Sequence, residues 1–124
     1  MKIHYLRNNT YIINDDDCRY LVNPVLGELD TVLPLPTKDI IKGIEAVILT
    51  KVDKDFFDDV AQNLLQKNIK ILIPNDIDKK SIMDLKFKNV EYLDEKLSSY
   101  IDEYNKLNYK PTNGEILLFD SMLG

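Results

Sequence analysis

Histidine and cysteine are nearly absent from this chain: His4 and Cys18 are single occurrences in 124 residues. A lone cysteine closes no internal disulfide and lacks the C-x-x-C companion that zinc or dithiol redox chemistry needs. With no histidine near it in sequence, Cys18 reads as a small strand residue and not as an activated nucleophile. A zinc hydrolase centre needs several imidazoles, and His4 supplies one. No apolar run approaches the roughly 20 residues of a membrane span. The opening MKIHYLRNN reaches polar residues before any signal-like apolar stretch forms. Positive charge is short as well: 16 basic against 21 acidic residues leave a formal charge of -5. Such a balance repels phosphate backbones and anionic lipid headgroups. Gly-rich phosphate loops, a Ser-His-Asp set, nucleotide fingerprints, repeats and low-complexity segments are also missing. The expectation is a single domain over residues 1–124, soluble and cytoplasmic, with neither nucleic acid nor membrane as a partner.

What is present is a globular balance, 44% hydrophobic and 30% charged, which argues against disorder. Ile3 and Tyr5, then Tyr11 to Ile13, then Cys18 to Val22 are β-formers, interrupted by Asn14-Asp15-Asp16-Asp17, and read as antiparallel strands. The aspartates sit where a hairpin must turn; a carboxylate metal site there would also need spaced backbone ligands. From Asn23 to Pro36 the residues Pro24, Gly27, Pro34 and Pro36 mark a surface loop, and Thr37 stands as an N-cap before a short helix over Lys38–Ile41.

Ala46 to Thr50 is a short apolar run suited to a strand buried on both faces. Phe56, Val60, Leu64 and Leu65 then recur at helical spacing, with Phe57 and Ala61 widening the stripe. Lys70 to Ile73 is a second buried strand, stopped by Pro74-Asn75, so the unit predicts a parallel pair with a helical crossover. A weaker repeat follows: a helix around Asp78–Leu85 and a strand at Val90–Leu93. Leu93, Leu97, Tyr100, Ile101, Tyr104 and Leu107 describe a longer amphipathic helix, and Ile116–Phe119 a last strand. Tyr100, Tyr104 and Tyr109 suit either a half-buried helix or a partner surface.

Two stretches resemble the metallo-β-lactamase superfamily, in particular its small bacterial metal-dependent hydrolase branch related to ascorbate-phosphate lactonases. MKIHYLRNNTYII followed by RYLVNP is similar to that branch's opening strands, which end in Asp-Pro. GIEAVILTKVDKDFFDDVAQNLL is similar to its strand, metal loop and following helix, and the likeness runs on through KNIKILIPN and FKNVEYL. The resemblance implies the N-terminal half of an αββα sandwich, a mixed sheet with helices on one face. In the family the loop reads Thr-His-x-His-x-Asp-His and would bind two zinc or manganese ions, whose charge generates hydroxide from water at neutral pH. Here it reads Thr50-Lys51-Val52-Asp53-Lys54-Asp55-Phe56. Lys51, Asp53 and Phe56 occupy the three histidine positions, Asp55 stands unchanged, and Asn23 replaces the aspartate before proline. An ammonium at neutral pH has no free lone pair, and a phenyl ring has no donor atom. After Val90 about thirty residues remain, none of them histidine.

No metal or other cofactor and no catalytic residue is therefore expected, with Asp53 and Asp55 the only weak metal candidates. The resemblance implies a non-catalytic, degenerate relative in a binding or regulatory role. One alternative is a hydrolase that uses Asp53, Asp55 and Asp58 or Asp59 with magnesium or manganese. Asp58 and Asp59 also fit simply as first-turn carboxylates that complement the helix dipole. A second alternative is a small acidic inhibitor or protein-interaction module. Half a sandwich leaves one sheet face uncovered unless the final segment, residues 92–124, folds over it as a compact monomer or a second copy covers it; the homodimer through that face is the preferred expectation.

Overall fold

A computed structural model of the chain describes residues 1–27, 41–107, 109–112 and 114–118. The strands are β1 (Lys2–Arg7), β2 (Thr10–Asp15), β3 (Cys18–Val22), β4 (Ala46–Ile48), β5 (Lys70–Ile73), β6 (Asn89–Tyr92) and β7 (Ile116–Leu118); the helices are α1 (Asp59–Leu64), α2 (Lys79–Met83) and α3 (Glu95–Asn105). They build one sheet in the order β6-β5-β4-β3-β2-β1-β7. The helix expected after Thr37 lies, apart from Ile41, outside the described residues, as do Pro34, Pro36 and Phe119.

The first three strands form an antiparallel meander, with Ile3 opposite Ile13 and Ile12 opposite Leu21. Each turn needs a left-handed backbone, which asparagine and aspartate tolerate better than most residues. Asn8 (φ 45°) and Asp16 (φ 54°) supply it. Asp15 keeps its carboxylate for a neighbour: it accepts the Tyr100 hydroxyl at 3.2 Å and pairs with the Lys96 ammonium at 2.6 Å, tying the hairpin to α3. From β3 onward the pairing is parallel, with Leu21, Val47, Ile71 and Val90 in one row. β7 returns to the far edge and pairs antiparallel with β1.

Strand alternation sends Leu6, Ile12, Leu21, Val47, Leu49, Ile71 and Ile73 to one face, where Phe57, Ala61, Leu65, Ile82 and Phe87 cover them. Ile3, Tyr5, Tyr11, Ile13, Val22, Ala46, Ile48 and Leu72 line the other, under Leu97, Tyr100 and Ile101 of α3. The mixed α/β sheet is as expected. The helices, expected on one face, lie on both, because the apolar stripe of α3 turns back over the tyrosine-bearing side of β1 and β2; Tyr104 stacks on Tyr11 with ring centroids 4.0 Å apart. The face assigned to a homodimer is thus buried within the chain itself.

Each of these three helices begins on an aspartate that accepts an N–H of the first turn: Asp58 from Ala61, Asp78 from Lys80 and Asp94 from Leu97. The α1 stripe is displaced by one residue from the expected one. Phe57, Ala61 and Leu65 are buried, whereas Val60 and Leu64 stay 41% and 42% exposed. Two interleaved i, i+4 rows were present, and the cap at Asp58 sets which of them faces the sheet.

Candidate functional site

The residues singled out from the sequence converge at the C-terminal ends of β3 and β4. Beyond Val22 the chain turns at Asn23 (φ 48°), and the Asn23 N–H is held by the Ile48 carbonyl at 2.8 Å. The Asn23 side chain is buried and makes a reciprocal pair with Thr50: Oδ1 accepts the Thr50 N–H and Nδ2 donates to Thr50 Oγ1, both at 2.9 Å. A backbone N–H only donates, so the amide orientation is fixed. Thr10, fully buried, donates its hydroxyl to the Asn23 carbonyl at 2.6 Å and accepts the Val25 N–H at 3.1 Å.

Asp58 ties the following loop to α1. Its Oδ1 accepts the N–H groups of Leu26 and Ala61 at 3.1 and 2.9 Å, and its Oδ2 that of Gly27 at 2.9 Å. Gly27 permits the approach, since a Cβ there would sit 3.1 Å from Asp58 Oδ2. The Arg7 guanidinium donates to the Gly27 carbonyl from the other side. Asp58 is therefore a clamp as well as a cap, while Asp59 is exposed in the first turn.

Lys51 to Asp55 form an exposed loop. Asp53 Oδ1 accepts the Asp55 N–H at 2.9 Å, and the Asp53 carbonyl accepts the N–H groups of Phe56 and Phe57 at 3.0 and 2.8 Å. The Lys51 ammonium lies 5.3 Å from the Phe56 ring centroid. Three shallow hollows flank the loop, one of them, of about 270 Å³, lined by Val52, Asp53, Lys54, Phe57, Asp59 and Leu85 among others. Another of about 460 Å³ is lined by Asn8, Asn9, Val25, Asp55, Phe56 and Lys110; one of about 230 Å³ includes Thr50, Asp76, Ser98 and Asp102.

The donor set does not fit a two-metal centre. Of the expected loop positions, Asp53 spends one oxygen on its own turn, Lys51 brings a cation, and Phe56 offers a ring to that cation. Among the described residues no group of three or more His, Cys, Asp or Glu side chains is placed to hold a metal ion. His4 lies on β1, three strands from β4, where burial and then Arg19 hold its imidazole below the usual 6.5. Cys18 is a half-buried free thiol at the start of β3. Neighbouring Tyr20 is pushed up to about 12, chiefly by burial and then by its hydrogen bond to Cys18. Tyr100 and Tyr104 pack from α3 onto the core, and Tyr109 is exposed.

Asn23 meets the 50–56 loop at Thr50, in a structural joint. Thr10 and the clamp made by Asp58 were not foreseen. An aspartate at N-cap spacing before an apolar stripe was the available signal for the second; the first carried none.

Comparison with known proteins places this arrangement. No family model matches the chain. It is 36% identical over 110 residues to UPF0173 protein YddR of Bacillus subtilis (strain 168), covering 75% of this chain and 43% of that protein. A solved isothiocyanate hydrolase from Delia radicum gut bacteria superposes with a TM-score of 0.66 at 26% identity, covering 77% of this chain and 42% of that one. A "possible metal-dependent hydrolase" from Veillonella parvula DSM 2008 gives the same score and identity over 74% and 42%. This is the metallo-β-lactamase fold. The chain spans less than half the length of these metallo-β-lactamase-like relatives. No helix among its described residues is long and apolar enough to cross a membrane.

Proposed function

We propose that this chain is a non-catalytic form of the metallo-β-lactamase fold, in which the joint at β3 and β4 serves a binding or regulatory scaffold and not hydrolysis. The observation that carries the reading is the use to which the loop's groups are put. Lys51 sits over Phe56, Asp53 closes its own turn, and both oxygens of Asp58 are taken by three backbone N–H groups. Carboxylates so engaged are poor candidates for a hard cation, which needs several open oxygens at once. The alternative hydrolase with magnesium or manganese on Asp53, Asp55 and Asp58 or Asp59 would have to dismantle the cap of α1 to recruit Asp58; with Asp59, exposed in the first turn, it would still have to open the turn that Asp53 closes.

Elemental analysis of protein dialysed at neutral pH against zinc and manganese, with a panel of lactones and phosphodiesters, tests the proposal. Metal far below one equivalent and no turnover are the expected results. Stoichiometric metal together with cleavage would overturn it. A cytoplasmic location accords with the free Cys18 thiol; recovery of the native protein from an oxidising compartment in cell fractionation would contradict it.

A further inference from the structure

The two edges of the sheet formed by the described strands are finished differently. At β6, Glu91 pairs with Lys70 at 3.4 Å and the Lys79 ammonium lies 4.6 Å from the Tyr92 ring centroid, so charges border that edge. Charged side chains are a common device against edge-to-edge pairing. β7 has none: Ile116, Leu117 and Leu118 are all aliphatic, and Ile116 and Leu118 are 55% and 76% exposed.

The backbone of β7 is divided the same way. Tyr5 donates its N–H to Glu115 and accepts that of Gly114, so the odd-numbered residues of β1 bond toward β7. Antiparallel alternation then makes Ile3 and Leu117 a hydrogen-bonded pair and turns the N–H and C=O groups of Ile116 and Leu118 outward. Leu117 points into the core beneath α3, while Ile116 and Leu118 project from the opposite face beside His4 and Lys2.

We propose that β7 is a self-association edge, on which β7 of a second copy pairs antiparallel about a twofold axis through Leu117. The occupant is a second copy because the edge is its own complement. About that axis Ile116 of one chain stands opposite Leu118 of the other, and the four outward backbone groups of each copy meet those of its partner. The two pairs of exposed aliphatic side chains then cover one another on a single face, and no like charges face each other within the paired segment. The contact is small beside the standard interface of about 1,600 Å², so association depends on concentration.

Sedimentation velocity from about 5 to about 500 µM, a range suited to a contact of this size, reads the effect. The apparent mass is expected to rise from the 14.4 kDa of the chain toward twice that value. Leu118→Lys, and separately Ile116→Lys, are expected to hold the mass at that of one chain, with unchanged far-UV circular dichroism because both side chains are already exposed. Amide exchange separates this edge from any other interface. At high concentration Ile116 and Leu118 gain protection while Leu117, already bonded to Ile3, does not change. A single-chain mass throughout the range, or a dimer that survives both lysine variants without added protection at Ile116 and Leu118, would overturn the proposal.

Discussion

The Asn23–Thr50 joint and the Lys51–Phe56 loop are adjacent in the chain and built on opposite terms. Asn23 and Thr10 are buried and Thr50 half-buried, and the polar atoms of the joint are matched one to one: Oδ1 to an N–H, Nδ2 to a hydroxyl, and the Asn23 carbonyl to Thr10. The loop is exposed and satisfies itself through one Asx turn and one cation–ring contact. In a dry site a missing partner leaves a donor or acceptor stranded; in a wet one water replaces it. The scaffold around this site is therefore rigid where it is not chemical and permissive where chemistry would have to be done.

The sharpest break in that contrast is Asn23→Ala. It strands the Thr50 N–H and removes two hydrogen bonds, and it places alanine at a positive φ that asparagine accepts more readily. About 3 kcal/mol of stability should be lost, as the sum of one unsatisfied buried group and one strained residue. Urea unfolding measures it, and a loss under about 1 kcal/mol would show that the joint is not the rigid element. Asp58→Ala comes next. Removing an N-cap alone costs typically about 1 kcal/mol; the freed Leu26 and Gly27 amides raise the expectation to about 2 kcal/mol. Because Asp58 is only half-buried, water recovers part of what the loop amides lose, and this variant should unfold between Asn23→Ala and wild type.

How much of this was legible depends on sequence separation. The buried strands Ala46–Ile48 and Lys70–Ile73 announce themselves as uninterrupted apolar runs, and the parallel crossover follows from the helix between them. The stripe of α1 was legible only to within one residue, because Phe56/Val60/Leu64 and Phe57/Ala61/Leu65 are equally periodic and a polar cap decides between them. The pairing of Asn23 with Thr50, 27 residues on, and of Asp15 with Tyr100, 85 residues on, has no local signature. Nor does the direction in which α3 folds back. That direction was settled by the tyrosines of β1 and β2, whose rings need cover, and it closed the face for which the final segment and a second copy were the two expected covers. The replaced histidines were legible as chemistry, but what their successors do instead required geometry.

The contrast between dry and wet groups extends to pH through Tyr11 of β2 and Tyr104, the α3 residue stacked on it. Burial raises Tyr11 and Tyr104 above the usual 10. An unfolded chain loses those protons near pH 10 while the folded chain keeps them. Above pH 10 the folded state binds more protons, so stability falls as pH rises, by up to about 1.4 kcal/mol per pH unit for the buried Tyr11 and by less for the half-buried Tyr104, which solvent screens. Absorbance at 295 nm should show these phenols ionising only together with loss of near-UV circular dichroism. Ionisation at the ordinary pH with the fold intact would mean that the α3 face is wet.

The smallest expected effect falls on the loop, and it bears most directly on the functional reading. Lys51 occupies a position that the resemblance assigns to a metal ligand, yet among the described residues its partner is the Phe56 ring 5.3 Å away. At an exposed site such a contact is worth about 0.5–1 kcal/mol, part of which the freed lysine entropy offsets. Lys51→Ala should therefore shift stability by about 0.5 kcal/mol or less, with no change in the urea m-value. A loss above about 1.5 kcal/mol would exceed what a surface cation–ring contact supplies. It would mean that Lys51 neutralises Asp53 and Asp55 and is integral to the joint, so that the loop belongs with Asn23 on the rigid side.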